Sequence, residues 1–236
     1  MEFRAVLHAE WIKIRTLRGL VAGLIAMLLV TTVFSALAAF DADDSDPLFS
    51  AFFGVNFGQI AALAFGATAV SSEFRGGALR LAFAAVPDRG RWFAAKATAI
   101  ALPALAVGLL TGAVTALVGT ATLGADAPGG GEALRGALGC GVYLTLMALF
   151  AAGCATVLRS GVATLSILIP FLLIVSFVIG DLSGGVADLL PDRAGQIVLH
   201  SDWDGTLGPW SGTAVTALWT AAALTAGAWS LRRRDA

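Results

Sequence analysis

The sequence predicts an all-α polytopic membrane protein with six transmembrane helices, and three observations predict it. Hydrophobic residues occupy 58% of the 236 positions and glycine adds 28 more, well above the apolar share of roughly 45–50% in soluble domains. Charged residues make up only 13%, too few to cover the surface of a soluble protein of this length. Six stretches of about twenty residues or more carry no Asp, Glu, Lys or Arg, the length at which a helix spans hydrocarbon while satisfying its own backbone. A net charge of −1 with only two lysines, Lys13 and Lys96, leaves no basic field for nucleic acid. Cys140 and Cys154 lie on one apolar stretch, about 21 Å apart along a helix and beyond disulfide reach; they read as small buried apolar residues.

The first element, residues 1–18, is an interfacial helix. Phe3, Leu7, Trp11, Ile14 and Leu17 recur at helical steps, while Arg4, His8, Arg15 and Arg18 fall largely on another face. That is the pattern of a helix lying in the membrane interface with basic groups toward lipid phosphates. A plain basic anchor needs the charges but not the apolar stripe. His8 is then a surface imidazole.

The six spans follow at Gly19–Phe40, about Leu48–Val70, about Ala97–Leu123, about Gly136–Leu158, about Gly161–Gly180 and about Gly212–Leu231. Ala36-Leu37-Ala38 imitates a signal-peptide cleavage site, yet the preceding run exceeds the roughly 7–15 residues of such a segment, so it reads as a retained span. An even number of spans puts both termini on one side. Thirteen of the fifteen basic residues collect there, leaving Arg135 and Arg193 for the other side; the positive-inside rule makes the first side cytoplasmic. The chain is read as a single transmembrane domain over 1–236: interfacial helix 1–18, six-helix bundle 19–231 and basic tail 232–236.

The cytoplasmic connection from Ser71 to Arg91 is too polar to cross a membrane and too apolar to float free. Ser71 or Ser72 can cap a short helix with Glu73 in its first turn, and Pro87 with Gly90 ends the helical stretch. Phe74, Leu79, Leu81, Phe83 and Val86 give it apolar surface, which favours a docking element for a cytoplasmic partner over an ordinary basic loop.

Taken with SSEFRGGALRLAFAAVPDRGRWFAAKA from Ser71, AEWIKIRTLRG at Ala9–Gly19, LLPDRAGQ from Leu189, LGPWSG from Leu207 and the closing LRRRDA, the chain resembles ABC-2 type permeases, particularly those of high-GC actinobacteria. The resemblance covers nearly the whole chain and rests on the order and spacing of loose motifs. It implies the membrane subunit of an ABC exporter in the bacterial cytoplasmic membrane, with an N-terminal elbow helix, a cytoplasmic coupling helix between helices 2 and 3, and a dimer whose central path receives helices 2 and 5. The partners so implied are a cytoplasmic ABC ATPase, in two copies, and a second permease as homodimer or heterodimer.

Energy supply is argued from the residues as well. None of the six runs holds an ionisable group of the kind an ion-driven carrier needs at membrane depth; Asp181, at the outer end of span five, reads as an interfacial carboxylate. Lys96 sits between Ala95 and Ala97, and Lys13 between Ile12 and Ile14, so neither belongs to a Walker A loop. The chain is therefore expected to be no enzyme by itself, to need no cofactor of its own, and to leave ATP and Mg to a separate ATPase. In the coupling role, Phe74 and Leu79 are expected as buried knobs and Arg75 and Arg80 as charge pairs at the rim. Glu73 either favours the helix start or pairs with Arg15 or Arg18 on the elbow helix.

For the cargo path, span two offers Phe53, Asn56 and Gln59, the two amides three residues apart on one helical face. They either hydrogen-bond between helices or face a wet cavity. Span five offers the bulky stretch around Pro170 with Phe171 and Ile174. Such a lining suits an amphipathic or lipid-like cargo better than a hydrated ion. Gly108 and Gly112 make a GxxxG spacing, an easy coincidence in a chain this rich in Gly and Ala. About thirty residues between spans five and six carry apolar clusters with Trp203 and Trp210; they suit short helices dipping into the outer interface, an outer re-entrant segment as the resemblance also implies. No metal-binding or nucleophile motif supports a membrane enzyme. The other reading is a non-transporting scaffold, immunity or sensor subunit on the same fold.

Overall fold

Long runs of Ala, Leu, Val and Gly leave the backbone no partner but itself, and in the computed structural model the described residues of these runs are predominantly helical. The structure describes residues 2–40, 46–74, 76–176, 178, 187–203 and 205–233. In chain order the elements are α1 (Phe3–Thr16), α2 (Arg18–Phe40), α3 (Pro47–Phe52), α4 (Val55–Ser71), α5 (Ala78–Ala85), α6 (Arg89–Leu123), α7 (Gly130–Leu158), α8 (Gly161–Pro170), α9 (Pro191–Gln196) and α10 (Pro209–Arg233). No strand occurs among the described residues. Five helical stretches are long and apolar enough to cross a membrane: Arg18–Phe40, Pro47–Phe74, Arg89–Asp126, Gly130–Leu158 and Pro209–Arg233. The chain is an all-α, multi-pass membrane protein.

The bundle is built around α7, whose Tyr143, Leu144, Met147, Ala148 and Ala151 are buried against Leu63 and Phe65 of α4 and Ile100 and Ala104 of α6. Glycine sets the approach distances. A Cβ at Gly66 would lie 1.8 Å from the Ala148 carbonyl oxygen, and one at Gly112 would lie 2.2 Å from that of Ala137. Gly112, one half of the GxxxG spacing, is therefore used up inside the chain, on the α6–α7 contact.

Several elements depart from simple periodicity. On α1 the buried face is Val6, Glu10 and Ile14, whereas Phe3 and Leu17 are exposed. The expected stripe is thus only partly the buried one, because a carboxylate with partners inside the protein takes the central place. His8 is exposed, as expected. The second apolar run is broken at Phe53–Gly54 into α3 and α4. There the Gly54 N–H donates to Ser35 Oγ at 2.9 Å, and a Cβ on Gly54 would sit 1.9 Å from the Thr31 carbonyl oxygen. The fifth run is α-helical to Pro170 and then widens into a π-helical turn, Phe171–Val175. Proline removes one backbone donor and its ring crowds the carbonyl four residues back, which is where helices commonly depart from i→i+4 bonding. Asp181 lies outside the described residues.

The helix ends gather into two sets. At one, here termed the basic end, lie α1, the turn after α4, α5, the start of α6 and the end of α10, joined by the Arg89 Nη1 donation to the Leu231 carbonyl at 2.7 Å. At the opposite end lie α3, the start of α7 and the short elements Ala187–Leu189, α9 and Ile197–Leu199. The latter three are short helices between the last two apolar runs. They pack down onto the bundle: Ala194, Val198 and Leu199 are fully buried, and Val198 fills the space above Gly139.

Candidate functional site

At the basic end four charged side chains form a closed knot. Glu10 and Lys13 stand three residues apart on α1, Glu73 sits in the short 3-10 turn that follows α4, and Lys96 sits two turns into α6. Lys96 Nζ donates to Glu10 Oε2 and to Glu73 Oε1, each at 2.7 Å. Lys13 Nζ donates to Glu10 Oε1 at 2.8 Å and to Glu73 Oε1 at 2.9 Å. Lys96, Glu10 and Glu73 are only 2%, 3% and 4% exposed. Two cations against two anions make the knot neutral, the condition under which charges survive burial. Lys13, the partly exposed member, has its ammonium pulled down by burial, but the two carboxylates outweigh that and raise it above its ordinary value.

This geometry places the expected coupling residues. Glu73 does pair with α1, but with Lys13, and with Lys96 of α6; Arg15 and Arg18 remain on the exposed side of the chain. The departure has a geometric cause: Lys13 shares the Glu10 face of α1, and that face turns inward. Phe74 is half-buried, with the Arg159 guanidinium 5.8 Å from its ring centroid. Leu79 is 4% exposed and belongs to a small cluster with Val6, Val86, Trp92, Phe93 and Leu231. It is therefore a core residue of this chain; the outward apolar residue of α5 is Leu81, 74% exposed. Arg80 is exposed, and Arg75 lies outside the described residues. Gly76 and Gly77, at φ +63° and +76°, adopt the left-handed conformation that lets the chain turn from α4 into α5. Glu73, Phe74, Gly77, Leu79, Arg80 and Arg159 together line one hollow of about 380 Å³.

The second site is at the opposite end. Asp46 caps α3: its Oδ1 accepts from the Phe49 N–H and the Ser201 N–H, each at 3.0 Å, and its Oδ2 lies 2.7 Å from His200 Nδ1. Burial alone pushes the Asp46 carboxyl up, but the two backbone donors and His200 outweigh it and hold it below its ordinary value. The His200 ring stacks on Phe49 with centroids 4.4 Å apart, and the His200 carbonyl accepts from Arg135 Nη2 at 2.7 Å. Beside this clasp is a cavity of about 400 Å³. Its walls are Phe49, Asn56 and Gln59 on one side, Leu172, Leu173 and Ser176 on another, and Asp188, Asp192, Arg193 and Gln196 above.

Both predicted amides line this cavity, and they differ. Gln59 is buried; its Oε1 accepts from the Tyr143 hydroxyl of α7, its Nε2 donates to the Asn56 carbonyl, and the Tyr143 oxygen accepts from Gln196 Nε2 at 3.1 Å. Asn56 is half-buried and, among the described residues, donates to the Phe53 carbonyl of its own chain segment, at 3.0 Å. Phe53 lies edge-on between Phe49 and Phe57 in an aromatic row beside the cavity. From the fifth run the cavity takes Leu172, Leu173 and Ser176, while Phe171 packs at the edge of the main core and Ile174 is exposed on the outer face. The π turn shifts which side chains face inward, so a 3.6-residue count does not find them. Asp192, Ser176 and His200 carry no sequence motif; only their polarity within an apolar chain marks them. Among the described residues no group of three or more His, Cys, Asp or Glu is placed to hold a metal ion. Compared with known proteins, the chain matches no family model and no curated protein.

Proposed function

We propose that the chain is the permease subunit of an ATP-driven ABC exporter of the ABC-2 type, seated in the bacterial cytoplasmic membrane with both termini cytoplasmic. It moves an amphipathic or hydrophobic cargo, such as a drug, peptide or lipid-like molecule, outward from the cytoplasm or inner leaflet. A cytoplasmic ABC ATPase, in two copies, holds the ATP and Mg, and a second permease copy completes the pathway.

The observation that carries this reading is the hollow at the basic end, where Glu73, Phe74, Leu79 and Arg80 meet and where the same Glu73 is locked to α1 and α6. A force applied to α5 by a closing ATPase is passed through the turn at Glu73 to α4, α6 and the elbow helix as one body, because the knot leaves them no independent motion. Leu81 and Arg80, both exposed on α5, are the contact residues.

The test is copurification from cells that express the chain together with the ABC ATPases of the same cell, each carrying its own tag. The ATPase comes down with the wild-type chain, and Leu81→Asp combined with Arg80→Glu releases it while the permease stays in the membrane fraction. A complex unchanged by both substitutions, or no ATPase in the wild-type preparation, overturns the proposal.

A further inference from the structure

We infer that the cavity between α4, the fifth apolar run and α9 binds a protonated primary amine carried on a small aromatic or aliphatic body, with Asp192 as its anionic anchor. As a cargo site it rests on the exporter reading; as a binding site it does not.

Asp192 is 6% exposed and, among the described residues, its Oδ1 has no hydrogen-bond partner; the buried Ser176 hydroxyl faces the same cavity beside it. A buried carboxylate oxygen left without a donor is costly, and native proteins rarely keep one without a use. Three nearby donors are already engaged. The Tyr143 hydroxyl gives its proton to Gln59, Gln196 Nε2 donates to Tyr143, and His200 closes on Asp46. What fits is a donor from outside the chain. An ammonium brings positive charge and three N–H groups, which suits Asp192 Oδ1 and Ser176 Oγ together.

The charge of the lining points the same way. Among the described lining residues Asp188 and Asp192 stand with one arginine, Arg193, so an anion meets two carboxylates. Burial pushes the Asp192 carboxyl above its ordinary range, with Ser176 and Arg193 only partly opposing it; a bound cation supplies the missing compensation. The remaining walls are the flat Phe49–His200 stack with Leu172 and Leu173, which suits an apolar body. The cavity, about 400 Å³, falls within the roughly 300–1,000 Å³ typical of small-molecule sites.

The test is calorimetric titration of the purified full-length chain, without any ATPase, using 2-phenylethylamine hydrochloride and, as its near-isosteric neutral control, 2-phenylethanol. The amine saturates one site per chain and the alcohol binds at least tenfold more weakly. Asp192→Asn lowers amine affinity tenfold or more and brings amine and alcohol together; Ser176→Ala weakens the amine severalfold and provides a second reading should Asp192→Asn not fold. Absence of saturable amine binding to the wild-type chain, equal affinities for amine and alcohol, or amine affinity unchanged in the folded variants overturns the inference. Because no ATPase is present, failure here is distinct from failure of the copurification test.

Discussion

Lys96 Nζ lies 2.7 Å from Glu10 Oε2, a carboxylate eighty-six positions earlier in the chain. This contact turns the N-terminal helix from a surface appendage into a fixed part of the bundle. The same ammonium holds Glu73, so α1, the post-α4 turn and α6 share one buried ion. A buried pair adds little over a well-packed apolar core, but removing one partner strands the others.

Lys96→Met should therefore destabilise the chain by about 3–5 kcal/mol, the range for a broken buried pair. Glu10→Gln together with Lys96→Met should cost clearly less than the sum of the single changes, since fewer charges are stranded. Unfolding of the purified chain in mixed detergent, read as a double-mutant cycle, checks this. Additive losses would mean that the two side chains do not act as a pair.

The main apolar helices were legible from run length alone, because a span is defined by the absence of charge over a fixed distance. Their ends were less so: α6 begins at Arg89 and α7 at Gly130, each some way before the apolar run, since helix continues through interfacial residues. The break at Gly54 was not legible, as it depends on Thr31 and Ser35 of a different helix. At the basic end, the sequence marks Glu73 as a partner for the N-terminal helix but not which cation it takes, because Arg15, Arg18 and Lys13 differ only in the face of α1 they occupy. Leu79 and Leu81 are two residues apart and chemically alike; only the packing of Val6 and Trp92 decides that the first is core and the second outward. At the cavity, the amides were legible as buried polar groups on an apolar helix, whereas Asp192 was hidden in a loop whose burial no local pattern announces.

The Asp46 clasp sets a pH dependence. Its carboxyl is held below the ordinary value of 3.8 in the folded chain, so its contribution to stability is complete above the unfolded value and is lost as pH falls through the lower folded one. The wild-type melting temperature should exceed that of Asp46→Asn at pH 7 and pH 5, and the gap should narrow below about pH 4, near the unfolded carboxyl value. A constant gap down to pH 3 would show that the clasp does not depend on the ionised carboxylate.

Gln59 and Asn56 provide the sharpest separation of scaffold from lining. Gln59 is buried and accepts the Tyr143 hydroxyl proton across the α4–α7 contact. Gln59→Leu removes that acceptor, leaving the Tyr143 hydroxyl without a group to donate to in an apolar interior. Interhelical side-chain bonds in membranes average about 0.6 kcal/mol and reach about 1.7, and the stranded hydroxyl places this one at the upper part of that range or above. Among the described residues Asn56 donates to Phe53, one turn back, and bonds to no other helix, so Asn56→Leu should change stability by less than about 0.5 kcal/mol. Its effect should appear instead in the cavity that both residues line: Asn56→Leu should alter 2-phenylethylamine affinity severalfold while the melting temperature stays put. Paired melting and titration curves for the two variants decide the matter. If Asn56→Leu melts as low as Gln59→Leu and binds the amine unchanged, Asn56 is scaffold as well, and recognition falls to Asp192 and Ser176 alone.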